Sequence, residues 1–208
     1  LVMARSAESI KMCLRHGVHV IYHATCADEE AKDMLEEHRD RVFVAPALSV
    51  TWTRLHEAES FGLPSSNAIK ARVARDLELT VECMKDLHRR GVRVLPGGDY
   101  GFLWNPHGSN ARDLAYFVDL LGFTPMEAIV GATRLGGEIM GMPDSLGRVR
   151  NGYLADLLLV DGDPLANLSI LRDPKRLLAV MKDGVFAKSP EIASERACEN
   201  PAPYERKR

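Results

Sequence analysis

No stretch of this 208-residue chain is apolar over the ~20 residues that a membrane-spanning helix requires, so a transmembrane protein is not expected. An excess of one charge sign is missing too. The chain sets 27 lysines and arginines against 29 aspartates and glutamates, a net charge of −2. That balance gives no electrostatic case for nucleic acid or an anionic membrane as partner. Cysteine is scarce: Cys13, Cys26, Cys83 and Cys198 lie far apart and form no Cys-x-x-Cys pair. Isolated thiols argue against a disulfide framework and fit a reducing, cytoplasmic compartment. Leu1 to Ser6 lack the basic start and long apolar run of a signal peptide. They read as the end of a strand running into a helix, so the chain is expected to begin in mid-fold. What is present, 46% hydrophobic and 27% charged residues, is the composition of an ordinary globular protein.

The chain order sharpens this. Ser6 can cap a helix whose apolar stripe is Ala7, Ile10, Cys13 and Leu14, with His16-Gly17 ending it. Val18 to His23 is a β-branched run of strand length. Asp28 can cap a second helix reaching about His38. Val42 to Pro46 reads as a short strand, and Ala47 to Leu63 as an irregular segment. A long helix is expected from about Ser65 to Arg90, closed by Gly91. Arg93-Val94-Leu95-Pro96 is then a buried strand that stops at Gly97-Gly98-Asp99. This alternation, with near-continuous apolar strands, argues for a parallel sheet covered by helices. A loop rich in Gly, Pro and Asn leads to a helix with Leu114, Phe117, Val118 and Leu121. Thr124-Pro125-Met126-Glu127 then has the makings of a capping box. Past Gly141 the composition changes. Gly147-Arg148-Val149, Ala155 to Pro164 and Leu177 to Val185 read as short strands joined by turns. The expected division is 1–142 as a partial (β/α) barrel, 143–188 as strands of a small β domain, and 189–208 as a poorly ordered polar tail.

Parallel strands bring their C-terminal ends to one rim, where barrel enzymes do their chemistry. His23 and Asp99 both fall at such ends. An imidazole and a carboxylate meeting there begin a divalent-metal site. A lone buried histidine is more often merely satisfied, but the companion Asp99 after paired glycines favours a ligand. Asp99 is also a candidate proton carrier. Asn105-Pro106-His107-Gly108 lies on the loop leaving the same strand, so His107 and Asn105 are candidate substrate contacts. Tyr22, one residue before His23, points the other way on a two-residue period. It reads as packing or support, and at most as a flank of the substrate pocket. His19 lies ~13 Å back along the strand at ~3.3 Å per residue and is structural. No base is placed to activate Cys26.

Taken together, the motifs resemble the metal-dependent amidohydrolase superfamily, in its imidazolonepropionase-like and prolidase-like branch. Ile21-Tyr22-His23-Ala24-Thr25 followed by Asp28-Glu29-Glu30 is similar to the family's strand-six histidine and the helix after it. Gly98-Asp99 resembles its strand-eight aspartate. Asn105 to Ala111, Thr124 to Ile129 and Ala132-Thr133 resemble the loop and helices that follow. Gly147-Arg148-Val149 and Gly152-Tyr153-Leu154-Ala155-Asp156-Leu157 resemble the returning strand. The ordered set covers residues 1 to about 188.

The resemblance implies the C-terminal part of a TIM-like (β/α)8 barrel, with returning strands of a small β-sandwich. It implies attack of metal-bound hydroxide on an amide-like carbon, with one or two divalent ions, zinc first among them. Asp99 would be the acid/base and a metal partner, His23 a metal ligand, and His107 a residue of the substrate pocket. A small amide, carbamate or urea-like molecule is the expected partner, with self-association left open. The family's His-x-His and its bridging lysine or glutamate have no counterpart here. At its strand-five histidine, expected in a pattern like Val-His-Ala-Arg, this chain has Val2-Met3-Ala4-Arg5. A thioether is a poor zinc ligand. About three complete strands and at most two ligands are therefore expected. The alternative is a non-catalytic remnant or subunit.

Overall fold

The computed structural model describes residues 1–190; from 191 on, the tail expected to be poorly ordered lies outside the described residues. Strands β1 (Val2–Ser6), β2 (Val20–Cys26), β3 (Phe43–Ala45) and β4 (Arg93–Val94) form one four-stranded sheet in chain order. Every pairing is parallel: Met3 sits opposite Tyr22, Tyr22 opposite Ala45, and Val44 opposite Val94. In-order parallel strands with helical crossovers are the TIM-barrel pattern. Four strands are present where about three were expected, because Val2–Ser6 pairs along its length with β2.

The connecting helices begin where the sequence supplies caps. The Ser6 side chain accepts from the Ser9 amide at the start of α1 (Ala7–Arg15), and Asp28 from the Ala31 amide at α2 (Glu29–Glu37). Ser66 does the same for α4 (Asn67–Arg89). Each bond satisfies one of the orphan N–H groups of a first turn. Behind the sheet, the outward side chains Ala4, Ile21, Val44 and Val94 pack with Ile10, Leu14, Leu35, Met84 and Leu87 into one core. Beside α1 the nearly buried Lys11 ammonium is held by Glu8, Asp28 and Glu30 at 2.8, 3.2 and 2.7 Å. It ties α1 to the cap of α2.

Two expectations are corrected. Ala47 to Leu63 is not irregular: α3 (Leu48–His56) and a 3-10 turn (Ala58–Phe61) occupy it. Pro46 and a left-handed Ala47 hide the helix start, and Val50, Thr51, Trp52 and Thr53 carry weak helix propensity. Tertiary packing overrides it. Leu48, Ser49 and Thr53 are buried, and Arg112 on α5 (Arg112–Leu121) grips Glu57 through two 3.0 Å bonds. Gly147-Arg148-Val149 is no strand either. A Cβ on Gly147 would lie 2.2 Å from the Thr133 carbonyl oxygen, so this segment runs against the junction of α6 (Pro125–Ala132) and α7 (Arg134–Ile139). The capping box forms: Thr124 accepts from the Glu127 amide while the Glu127 carboxylate accepts from the Thr124 amide at 2.8 Å.

A second, antiparallel sheet contains β5 (Leu157–Val160), β6 (Leu177–Lys182) and β7 (Val185–Lys188). The β6–β7 turn is Asp183-Gly184, both left-handed, the pattern of a tight hairpin. A 3-10 turn, Leu168–Arg172, places Leu168 in the main core. Among the described residues no helix is long and apolar enough to cross a membrane, and Cys13, Cys26 and Cys83 are free thiols.

Met84 is fully buried at the centre of the main core. Met84→Ala should lower unfolding free energy by about 3 kcal/mol in urea denaturation. A loss well under 1 kcal/mol would show that the site collapses around the missing atoms.

Candidate active site at the sheet rim

Backbone strain in this chain is concentrated on one edge. Among the described residues, the non-glycine positions with positive φ are His23, Ala24, Ala47, Asp99 and Asp183. All but the hairpin residue Asp183 lie at or just beyond the C-terminal ends of β2, β3 and β4. Such conformations cost on the order of 1–3 kcal/mol each and persist where surrounding structure enforces them, commonly at functional sites.

On β2 the cause is a bulge. Ala4 pairs with His23, but the next registered pair is Ser6 with Cys26. The irregularity breaks the two-residue alternation beyond Tyr22. Tyr22 does not point away from the site as alternation predicted: it lines a cavity of about 660 Å³ together with Met3, Asp99, Tyr100, His107 and Asp113. His23 is 92% buried behind the cavity wall and does not line it; its ring centroid lies 6.2 Å from that of Tyr22. Burial is the main cause that lowers the His23 pKa below 6.5; the Arg5 charge adds to it and Asp99 opposes it. The Asp99 charge thus reaches His23 across the intervening β3.

The candidate contacts separate. His107 is exposed on its loop, with its ring packed over Gly101, where a Cβ would meet Nε2 at 3.3 Å. Asn105 is fully buried and absent from the cavity wall. Its amide instead donates to the carbonyls of Gly98 and Asp99 at 2.7 and 3.1 Å. Gly98 is required: a Cβ there would lie 2.4 Å from the Tyr100 ring and 2.7 Å from Asp113 Oδ2.

Two residues of the site had no signal in the motif pattern. Asp113 sits in the first turn of α5, where an acid ordinarily answers the helix dipole. Here it is 1% exposed and lines the cavity. Burial pushes its pKa up to about 7, against the opposing pull of Tyr100 and the Ser49 and Gly97 amides. Its Oδ1 has no hydrogen-bond partner among the described residues. Tyr100 donates to the Asn110 carbonyl at 3.2 Å, and burial followed by the Asp113 charge raises its pKa. Tyr22 is raised by burial and then by Asp99 and Asp113. Both phenols remain protonated donors at neutral pH. No lysine or arginine lines the cavity.

These groups do not compose a metal centre by themselves. Protein zinc sites take three or four donors. Among the described residues no group of three or more His, Cys, Asp or Glu side chains is placed to hold an ion. Met3, at the position where the strand-five histidine was sought, is on the cavity wall and offers a thioether.

The amidohydrolase family model matches residues 3–187. The chain is 28% identical over 184 residues to ochratoxinase from Aspergillus niger, covering 88% of this chain and 36% of that protein. It is 33% identical over 95 residues to imidazolonepropionase from Vibrio vulnificus, covering 44% of this chain and 23% of the relative. Among solved structures, a Xaa-Pro dipeptidase with methionine in its active site superposes with a TM-score of 0.76 at 26% identity, over 90% of this chain and 44% of that one. The chain spans less than half the length of each.

Asp113 gives a test of the site's electrostatics. Its folded pKa, about 7, stands above the ordinary value of 3.8. Between these values the native state holds a proton that the unfolded state has released, so its contribution to stability is full below 3.8 and lost as pH rises to about 7. Thermal melts across that window should show wild type falling relative to Asp113→Asn. Parallel curves would contradict the raised pKa.

Proposed function

The chain belongs to the amidohydrolase family, and from that premise we propose that it supplies the acid-bearing part of a site for hydrolysis of a small amide, carbamate or urea-like C–N bond. What supports this is that Asp99, in a strained conformation, lines one cavity with Tyr22 and that its charge reaches the buried His23. Asp99 is the proton carrier: its carboxylate takes a proton from the attacking water and returns it to the leaving nitrogen. His23, with its lowered pKa, is neutral at pH 7 and available as a ligand or acceptor. The Tyr22 hydroxyl is a donor suited to the substrate's carbonyl oxygen, and His107 borders the cavity as a substrate contact.

The family generally uses divalent metals. We assign zinc as the cofactor of the complete protein, with His23 and Asp99 among its ligands. The described residues do not complete that donor set. The remaining donors are assigned to polypeptide outside this sequence, which makes this chain a C-terminal portion of its enzyme. The same shortfall favours a second reading, a non-catalytic subunit or remnant.

A panel of N-acyl amino acids, dipeptides, carbamates and ureas, assayed with and without added zinc, separates the two. Turnover that falls by about 10²-fold or more in Asp99→Asn is the expected result for the catalytic reading. Absence of turnover under every condition, with activity appearing once upstream polypeptide is joined to Leu1, would establish that this chain is not autonomous. Turnover unchanged in both Asp99→Asn and His23→Ala would reject the assigned site.

A further inference from the structure

We propose that Asn105, held in turn by Ser49, is the positioning residue that fixes Asp99 in its left-handed conformation and couples helix α3, which follows β3, to that acid. The clamp is argued from geometry alone; its consequence for catalysis rests on the proposed role of Asp99.

Aspartate enters the left-handed region more readily than most side chains, but φ 55° still costs it more than a glycine, so backbone contacts that favour it set the population of that conformation. Asn105 holds the backbone from both sides of the strained residue. Its Nδ2 donates to the Gly98 carbonyl at 2.7 Å and to the Asp99 carbonyl at 3.1 Å. Its Oδ1 accepts from Ser49 Oγ at 2.8 Å. Its own backbone closes the loop: the Gly101 amide donates to the Asn105 carbonyl, and the Asn105 amide to the Phe102 carbonyl, both at 3.0 Å. The orientation of the side-chain amide is not arbitrary. Two carbonyl oxygens can only accept, so the NH2 group must face them and the oxygen must face the hydroxyl. Both amide hydrogens and the oxygen are thereby used in a fully buried position. With no surface on the cavity, Asn105 has no route to a substrate.

Ser49 is itself well anchored. It is fully buried in α3, which the forked Arg112–Glu57 pair and the Trp52–Tyr116 stack at 5.0 Å fasten to α5. The same α5 presents Asp113 against Gly98. A displacement of α3 is therefore transmitted through one hydroxyl and one amide to the acid just beyond the neighbouring strand β4.

Hydrogen exchange on the whole 208-residue chain tests this whether or not it is catalytic. Asn105→Ala should speed exchange of the peptide spanning 96–104 by about tenfold or more while α1 and β6–β7 stay as in wild type. Asn105→Asp, the same size but with an oxygen turned onto two carbonyls, should do likewise. Ser49→Ala should loosen the same peptide less, and adding it to Asn105→Ala should add little. Met84→Ala serves as the control for a merely structural loss, raising exchange across the core. Unchanged exchange at 96–104 in the Asn105 variants, or a rise uniform over the chain, would overturn the clamp. Should Asn105→Ala fail to fold, Ser49→Ala decides alone by whether 96–104 responds selectively. Where wild type turns substrate over, Asn105→Ala should lower kcat with little change in KM and add nothing to Asp99→Asn. Absent turnover in the chain alone would show that it is not autonomous and leave the exchange result to decide the clamp.

Discussion

Parallel pairing in chain order is the constraint on which the rest of this structure depends. When β1 to β4 run the same way, each C-terminal end falls on one rim, and residues far apart in sequence meet there. His23 and Asp99 are separated by helices α2, α3 and α4, yet the charge of Asp99 reaches the His23 imidazole. The apolar faces of the strands do the work of alignment. Ile21, Val44 and Val94 sink into a core with Met84 and Leu87, and that burial fixes which way the opposite face looks. A slip of one residue in any strand would turn the cavity wall into the helix-facing side.

The rim then departs from regular strand geometry, and these departures shape the site. The bulge on β2 releases His23 and Ala24 into left-handed conformations and leaves Tyr22 facing the cavity. Gly97 and Gly98 let the chain after β4 approach Tyr22, Tyr100 and Asp113 more closely than any side chain permits. The outcome is a pocket with two carboxylates, two protonated phenols and the His107 imidazole, and no lysine or arginine in its lining. One of those carboxylates, Asp113, sits near neutrality in its titration because burial outweighs the amides that face it.

How much of this the sequence disclosed depended on whether a local rule held. Helix starts at Ser6, Asp28 and Thr124 followed from capping chemistry, and the parallel sheet followed from apolar runs between helices. His23 and Asp99 were visible because strand ends preceding turns are legible. Helix α3 was hidden by its β-branched and aromatic residues, whose weak propensity is offset by burial against α5. The direction of Tyr22 was misjudged because it was set by opposition to His23, where the strand departs from regular geometry; Tyr22 alternates regularly with the core-facing Ile21. Asn105 drew notice as an Asn-Pro-His loop residue, which ordinarily implies solvent; its burial depends on Ser49, 56 positions earlier. Asp113 had the ordinary look of an acid in a first helical turn.

The account holds that this rim carries two members of a larger donor set. Titration of zinc into the 208-residue chain by calorimetry addresses that claim most directly. The prediction is weak binding that does not reach tight one-to-one stoichiometry, and that is abolished in both His23→Ala and Asp99→Asn. Tight stoichiometric binding by the chain alone, or binding indifferent to both substitutions, would contradict it.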